Sequence, residues 1–225
     1  MNRRPPVAVY PVVDLQALSL DHLDDAVGLI AQVVRGGATM VQLREKGERF
    51  GDLIRLAQRV LPMLRVAKVP MIINDRLEVA LALGAEGIHL GQSDLPIEKA
   101  RTHIARAGKA MWVGASVTTV AEAERAMHGG ADYLSVSPLF GTATKPDIAR
   151  PAGLEGLRSI RAAFPDVPVV VIGGLRARRV PDALAAGADG VAFVSPLGAH
   201  AEASVRTIAA LVEGAHRPSA SATTR

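Results

Sequence analysis

Gly129-Gly130-Ala131-Asp132-Tyr133-Leu134-Ser135-Val136 is one of four versions of the same phrase. The others are Gly36-Gly37-Ala38-Thr39-Met40-Val41-Gln42-Leu43, Gly84-Ala85-Glu86-Gly87-Ile88-His89-Leu90 and Gly187-Ala188-Asp189-Gly190-Val191-Ala192-Phe193-Val194. Each time a helical pattern ends on glycine, a short turn follows, and an aliphatic strand begins. Glycine accepts the left-handed backbone that closes a helix, where a Cβ is strained. A junction of this kind, repeated, marks alternating βα units.

Four further strands fit around these: Val7–Val13, Met71–Asn74, Met111–Ser116 and Val169–Ile172. Pro70 and Pro168 stop the helices before two of them. Helical patterns separate the strands over His22–Arg35, Phe50–Ala67, Leu77–Leu83, Ile97–Ala107, Val120–Met127, Leu154–Ala163, Ala177–Ala186 and Ala199–Val212. In the second of these, Leu53, Ile54, Ala57, Val60, Leu61 and Leu64 share one stripe, as the helical period of about 3.6 residues requires. Eight strands alternating with eight helices predict an α/β chain folded as a single (β/α)8 TIM barrel over residues 1–216. An open doubly wound sheet fits the same alternation, and pattern alone does not separate the two. The Ser/Ala/Thr-rich tail, 217–225, is expected to be disordered.

Composition agrees with buried parallel strands. Hydrophobic residues make up 49% of the 225 but aromatics only 3%, so the core is expected to be built from Val, Ile, Leu and Ala. The 26 Lys and Arg against 22 Asp and Glu leave a formal charge of +4, spread along the chain. No basic run carries the interleaved aromatics of a nucleic-acid groove, so a small anionic molecule is the better-fitting partner. With no cysteine, disulfides and thiolate metal sites are excluded. The first residues lack the apolar core of a secretory signal. No apolar run approaches the roughly 20 residues of a membrane span. The expectation is a cytoplasmic protein with no nucleic-acid or membrane partner, compatible with assembly into a homo-oligomer.

In a barrel of this type chemistry sits at the C-terminal strand ends. The second strand runs into Gln42-Leu43-Arg44-Glu45-Lys46, where alternation turns Gln42, Arg44 and Lys46 inward and Val41 and Leu43 toward the helices. Two cations and an amide at a barrel mouth suit an oxyanion-rich group. The third strand ends Asn74-Asp75-Arg76 and the fourth His89-Leu90-Gly91-Gln92-Ser93-Asp94. Asp75 and Asp94 come from neighbouring units, and one or two carboxylates plus substrate phosphates are the usual setting of magnesium. Helix capping is the competing role for Asp75, and His89 reads as a packed strand residue. Ser116, ending the fifth strand, offers a hydroxyl to a phosphate, while Thr119 with Glu122 reads as a capping box. The longest loop, residues 137–147, has the length of a functional lid and carries Thr142, Thr144 and Lys145. Gly173-Gly174 and Val194-Ser195 end the last two strands, where many barrels bind phosphate through backbone N–H groups.

Taken in order, Gln42–Lys46, Asn74-Asp75-Arg76, His89 through Asp94, Thr142-Ala143-Thr144-Lys145, Ile172-Gly173-Gly174 and Val194-Ser195 resemble the thiamine-phosphate synthase family along almost the whole chain. The resemblance implies a transferase that joins hydroxymethylpyrimidine diphosphate to a thiazole phosphate, or its carboxylated precursor, releasing pyrophosphate. It implies Gln42, Arg44, Lys46, Asn74, Ser116 and Lys145 at the pyrimidine diphosphate, Asp75 and Asp94 on Mg2+, and Thr142, Thr144, Gly174, Val194 and Ser195 at the thiazole phosphate. Arg44, Lys46 and Lys145 would stabilise the leaving group. Two positions depart from the family pattern: Thr118 stands where a histidine is frequent, and Ser137 where glycine usually precedes Pro138. A related thiazole tautomerase would need an acid-base histidine near 118, which Thr118 cannot replace. Two readings from other classes are a lysine aldolase using Lys46 or Lys145 and a non-catalytic phosphate-binding barrel.

Overall fold

In the computed structural model, which describes residues 4–17, 19, 22–141, 151–194, 197–198 and 200–216, eight parallel strands close into a barrel in sequence order. They are β1 (Val9–Asp14), β2 (Val41–Arg44), β3 (Met71–Asn74), β4 (Gly87–Leu90), β5 (Trp112–Val117), β6 (Tyr133–Val136), β7 (Val169–Val171) and β8 (Gly190–Phe193). The helices between and after them are α1 (Leu23–Arg35), α2 (Phe50–Ala67), α3 (Leu77–Leu83), α4 (Ile97–Arg106), α5 (Val120–His128), α6 (Gly153–Ala163), α7 (Val180–Ala185) and α8 (Ala201–His216). The open-sheet alternative fails on one pairing: Val9, Tyr10 and Pro11 lie in register with Val191, Ala192 and Phe193.

Several element ends differ from the sequence pattern by one to a few residues, among them those of α7 and β1. The expected helix Ala177–Ala186 is a 3₁₀ turn over Ala177–Arg179 followed by α7, with Pro181 in its first turn. Proline lacks an N–H and fits best in the first turn of a helix, which favours an α-helix that begins there; α2 accommodates Pro62 in its interior. The first strand extends to Asp14, whose side chain is buried. The tail 217–225 lies outside the described residues.

Alternation sorts the side chains into two cores. Val41 and Leu43 join the layer between strands and helices, whereas Met40, Ile72, Tyr10, Trp112 and Tyr133 fill the barrel interior. The interior is also largely aliphatic, with Val12, Ile72 and Val170 among its residues, but it holds both tyrosines and the single tryptophan as well. Small neighbours make that room. A Cβ on Gly114 would lie 2.0 Å from the Tyr133 ring.

The recurring phrase has a mechanical meaning. In every copy the residue after Gly-Ala turns back on the preceding odd-numbered strand. Thr39 Oγ1 accepts the Val9 N–H (2.9 Å) and Glu86 Oε2 the Met71 N–H (2.8 Å). Asp132 Oδ2 accepts the Val113 N–H (2.7 Å) and Asp189 Oδ2 the Val169 N–H (2.8 Å). The backbone N–H of each of the four donates in return to the carbonyl of that same strand residue. N–H groups at the closed end of the barrel are thus satisfied by side chains. Arg101 covers Asp132 and the Gly130 carbonyl; Arg161 covers Asp189 and the Gly187 carbonyl in the same way.

Asp132→Ala is predicted to destabilise the fold by about 2–3 kcal/mol, because it strands the Val113 N–H and removes the counter-charge of Arg101. Urea unfolding reads this directly. Activity per folded molecule should persist, since the stitch lies at the opposite end from the mouth.

Candidate active site

The mouth is built strand by strand. Asp14, at the end of β1, is buried and accepts the backbone N–H groups of Gln16 and Ala17 at 3.1 and 3.0 Å. Its other oxygen pairs with the Arg44 guanidinium at the end of β2. An isolated buried carboxylate is unfavourable, so this pair fixes Arg44 at the rim.

Lys46 lies two residues further along. Its Nζ is 2.5 Å from Asp75 Oδ2 and 3.4 Å from Asp94 Oδ1. Carboxylates from the loops after β3 and β4 therefore converge on one ammonium. Asp75 sits in left-handed backbone at φ 59°, a conformation aspartate tolerates better than most residues and one concentrated at functional sites. It does not cap α3, whose N-cap is Arg76. Asp94 is anchored by the Gly91 N–H, which donates to its Oδ2 at 2.7 Å.

Burial and a hydrogen bond with Asp94 push the Asp75 carboxyl up to about 6. Burial also opposes charge on Asp94, but Asp75, the Gly91 N–H and Lys46 outweigh it and hold that carboxyl below the usual range. Two half-buried carboxyls side by side, with one ammonium between them, remain short of positive charge. That is the electrostatic setting of a divalent cation. Among the described residues no group of three or more His, Cys, Asp or Glu forms a fuller cage. Two carboxylates completed by substrate phosphates and water suit Mg2+ better than Zn2+.

Two buried polar atoms have no partner among the described residues, Asn74 Nδ2 and Glu45 Oε2, and both belong to this rim. Glu45 Oε1 accepts the Gly47 N–H and so shapes the loop that carries Lys46. Asn74, which ends β3 on the inward face, holds an unused donor beside the aspartates. Orphaned buried donors are rare in native folds, and one at a barrel mouth is a ready contact for a phosphate oxygen.

Below these groups, Gln42 and Ser116 face inward from β2 and β5. Gln42 Nε2 donates to Tyr10 Oη at 2.7 Å, and Ser116 Oγ lies 3.0 Å from His89 Nε2. His89 is a packed strand residue, as its sequence setting indicates, with polar contacts at both ring nitrogens. Thr119 caps α5 in a capping box with Glu122. Thr118 Oγ1 donates to the Ser137 carbonyl at 3.0 Å, so the two positions that depart from the family pattern meet and tie the β5 loop to the β6 loop.

On the other side of the mouth, Gly173 and Gly174 adopt φ of 99° and 61°. A Cβ at Gly174 would lie 2.5 Å from the Gly141 carbonyl, so the pair lets the end of β7 lie directly against the loop after β6. Val194 is half-buried at the end of β8, against the interior core. Thr142, Thr144, Lys145 and Ser195 lie outside the described residues. The structure thus gathers Gln42, Arg44, Lys46, Asn74, Asp75, Asp94 and Ser116 at the ends of β2 to β5 and in the loops after them, and places Gly174 and Val194 just past the ends of β7 and β8.

Asp14 lies one residue beyond the strand end that the sequence pattern predicts, at the true end of β1. The alternation Tyr10, Val12, Asp14 carries the missing signal. The aldolase reading loses Lys46, whose ammonium is engaged by two carboxylates.

The model of the family described as thiamine monophosphate synthase matches residues 9–197. The chain is 43% identical over 209 residues to the thiamine-phosphate synthase of Roseiflexus sp. (strain RS-1), covering 92% of this chain and 86% of that one. It is 44% identical over 186 residues to the thiamine-phosphate synthase of Chloroflexus aurantiacus, covering 82% and 84%. Among solved structures, thiamine phosphate pyrophosphorylase from Pyrococcus furiosus superposes with a TM-score of 0.82 at 31% identity, covering 95% of this chain and 98% of that chain. The 3-hexulose-6-phosphate synthase from Salmonella typhimurium, with a TM-score of 0.70 at 15% identity, shares the fold.

Proposed function

The chain belongs to the thiamine monophosphate synthase family, and on that premise we propose that its mouth binds hydroxymethylpyrimidine diphosphate beside β2 to β5 and a thiazole phosphate beside β6 to β8. The bond between the pyrimidine methylene and the diphosphate oxygen breaks as the thiazole nitrogen attacks that carbon, and pyrophosphate leaves. The thiazole nitrogen is nucleophilic as it stands, so no activated side chain is required.

The observation that carries this reading is Lys46 held between Asp75 and Asp94, 2.5 and 3.4 Å away. Asp75 and Asp94 would hold Mg2+, which when bound offsets negative charge on the diphosphate. Arg44, kept at the rim by Asp14, faces the same leaving group with a fork suited to phosphate oxygens. Asn74 adds an amide donor. With Asp75 and Asp94 engaged by the metal, the Lys46 ammonium would be available to the diphosphate. Lys145, Thr142, Thr144 and Ser195 complete the two substrate sites, with Gly174 and Val194 at the thiazole phosphate. Charge stabilisation in sites fixed beforehand, together with alignment of the two rings, accounts for the acceleration.

A coupled pyrophosphate-release assay tests this. Release is expected only with both substrates and Mg2+ present, one pyrophosphate for each thiamine phosphate. Release from the pyrimidine substrate alone at the same rate, or full activity in excess chelator, contradicts it. No helix among the described residues is long and apolar enough to cross a membrane.

A further inference from the structure

Five polar side chains cross the barrel interior as one hydrogen-bonded chain beneath the mouth. Gln42 Nε2 donates to Tyr10 Oη at 2.7 Å, and Tyr10 Oη lies 2.9 Å from Tyr133 Oη. Tyr133 Oη lies 3.1 Å from His89 Nδ1, and His89 Nε2 is 3.0 Å from Ser116 Oγ. Gln42, Tyr10, Tyr133 and His89 are all buried. The chain thus connects β2, β1, β6, β4 and β5, linking two of the proposed substrate contacts, Gln42 and Ser116.

Glycine makes the crossing possible. His89, Gly114 and Tyr133 stand side by side in register on β4, β5 and β6. Tyr133 must lean across β5 to reach His89, and a Cβ at Gly114 would lie 2.3 Å from its hydroxyl oxygen.

Counting hydrogens gives the chain a direction. Tyr10 accepts from Gln42, so its single O–H is left for Tyr133. Tyr133 then has its own O–H for His89 Nδ1. An imidazole accepting at Nδ1 carries its hydrogen at Nε2, directed at Ser116 Oγ. Ser116 accepts there, which leaves its O–H free to donate into the mouth. With Gln42 donating to Tyr10, the reverse order would leave the Tyr10 hydrogen without an acceptor along this chain.

We propose that His89 is a positioning residue, fixed as the Nε2–H tautomer by this relay, and that it makes the Ser116 hydroxyl a donor to an acceptor atom of the bound pyrimidine diphosphate. The inference rests on the proposed placement of that substrate at Gln42 and Ser116. Specificity follows from it: a ligand offering a donor at that point meets the wrong polarity.

The test begins on the substrate-free wild-type chain. Long-range 1H–15N correlation of the histidine rings, with His89 identified by its loss in His89→Gln, is expected to show Nδ1 bare and Nε2 protonated. Tyr133→Phe removes the donor to Nδ1 and should convert the ring to a tautomer mixture. In kinetics, His89→Ala and Tyr133→Phe should raise KM for the pyrimidine diphosphate about tenfold, with kcat changed far less and thiazole phosphate KM unmoved. His89→Gln, whose amide can still donate to Ser116, should recover most of that loss. An Nδ1–H tautomer in the wild type, or an unchanged KM in His89→Ala, overturns the proposal. Should His89→Ala fail to fold, the wild-type spectrum decides alone. Failure of the underlying substrate assignment looks different: the tautomer stands, but wild-type protein releases no pyrophosphate.

Discussion

Asp94→Ala is expected to lower turnover by about two to three orders of magnitude, equivalent to about 3–4 kcal/mol of lost charge stabilisation. The reason lies in the pairing of Asp94 with Asp75 around Lys46. Removing one carboxylate weakens the hold on Mg2+ and leaves Lys46 paired with Asp75 alone, still diverted from substrate. Binding of the thiazole phosphate should survive, because its proposed contacts come from β6 to β8 and their loops. Steady-state kinetics over a range of Mg2+ concentrations, with a separate titration of the thiazole phosphate, provide the check. Near-normal turnover at saturating Mg2+ refutes the metal role. Loss of thiazole phosphate binding as well would make Asp94 a structural residue.

The second large effect is expected at a residue with no direct part in the reaction. Asp14 is 1% exposed and pairs with Arg44, itself only 17% exposed. Asp14→Ala leaves a largely buried guanidinium without its counter-charge and strands the N–H groups of Gln16 and Ala17. Breaking one side of a buried pair costs about 3–5 kcal/mol, and that loss should appear in the urea midpoint. Changing both partners distinguishes stability from function. Asp14→Leu combined with Arg44→Met should regain much of the stability, since an apolar pair no longer leaves a charge unmatched. Turnover should remain lost, because the guanidinium that faces the diphosphate is gone. Recovery of both in the double variant contradicts the role assigned to Arg44.

Much of this architecture is legible in the chain because the signals are local. The glycine junctions mark every even-numbered strand, and two helices, Phe50–Ala67 and Leu77–Leu83, match their patterns to the residue. Strand alternation places Gln42 and Arg44 inward and Val41 and Leu43 outward for the same reason. Closure is different, since it depends on β1 meeting β8 across nearly the whole chain, which no local pattern records. The stitching role of Thr39, Glu86, Asp132 and Asp189 is also hidden: the phrase is visible, but its partner is the start of the previous strand pair. Within the site, the convergence of Asp75 and Asp94 follows from adjacent βα units. The bond from Tyr10 to Tyr133 spans the interior from β1 to β6, and alternation says only that both point inward. Low aromatic content hid it further, since an average of 3% gives no hint that both tyrosines share one cavity.

Calorimetric titration of inorganic pyrophosphate into the wild-type protein tests the shared metal-diphosphate rim most directly. With Mg2+ present, binding is expected to be at least about a hundredfold tighter than in excess chelator, and the difference should vanish when both Asp75 and Asp94 are changed to asparagine. Equal affinity with and without the metal in the wild-type protein would contradict the account.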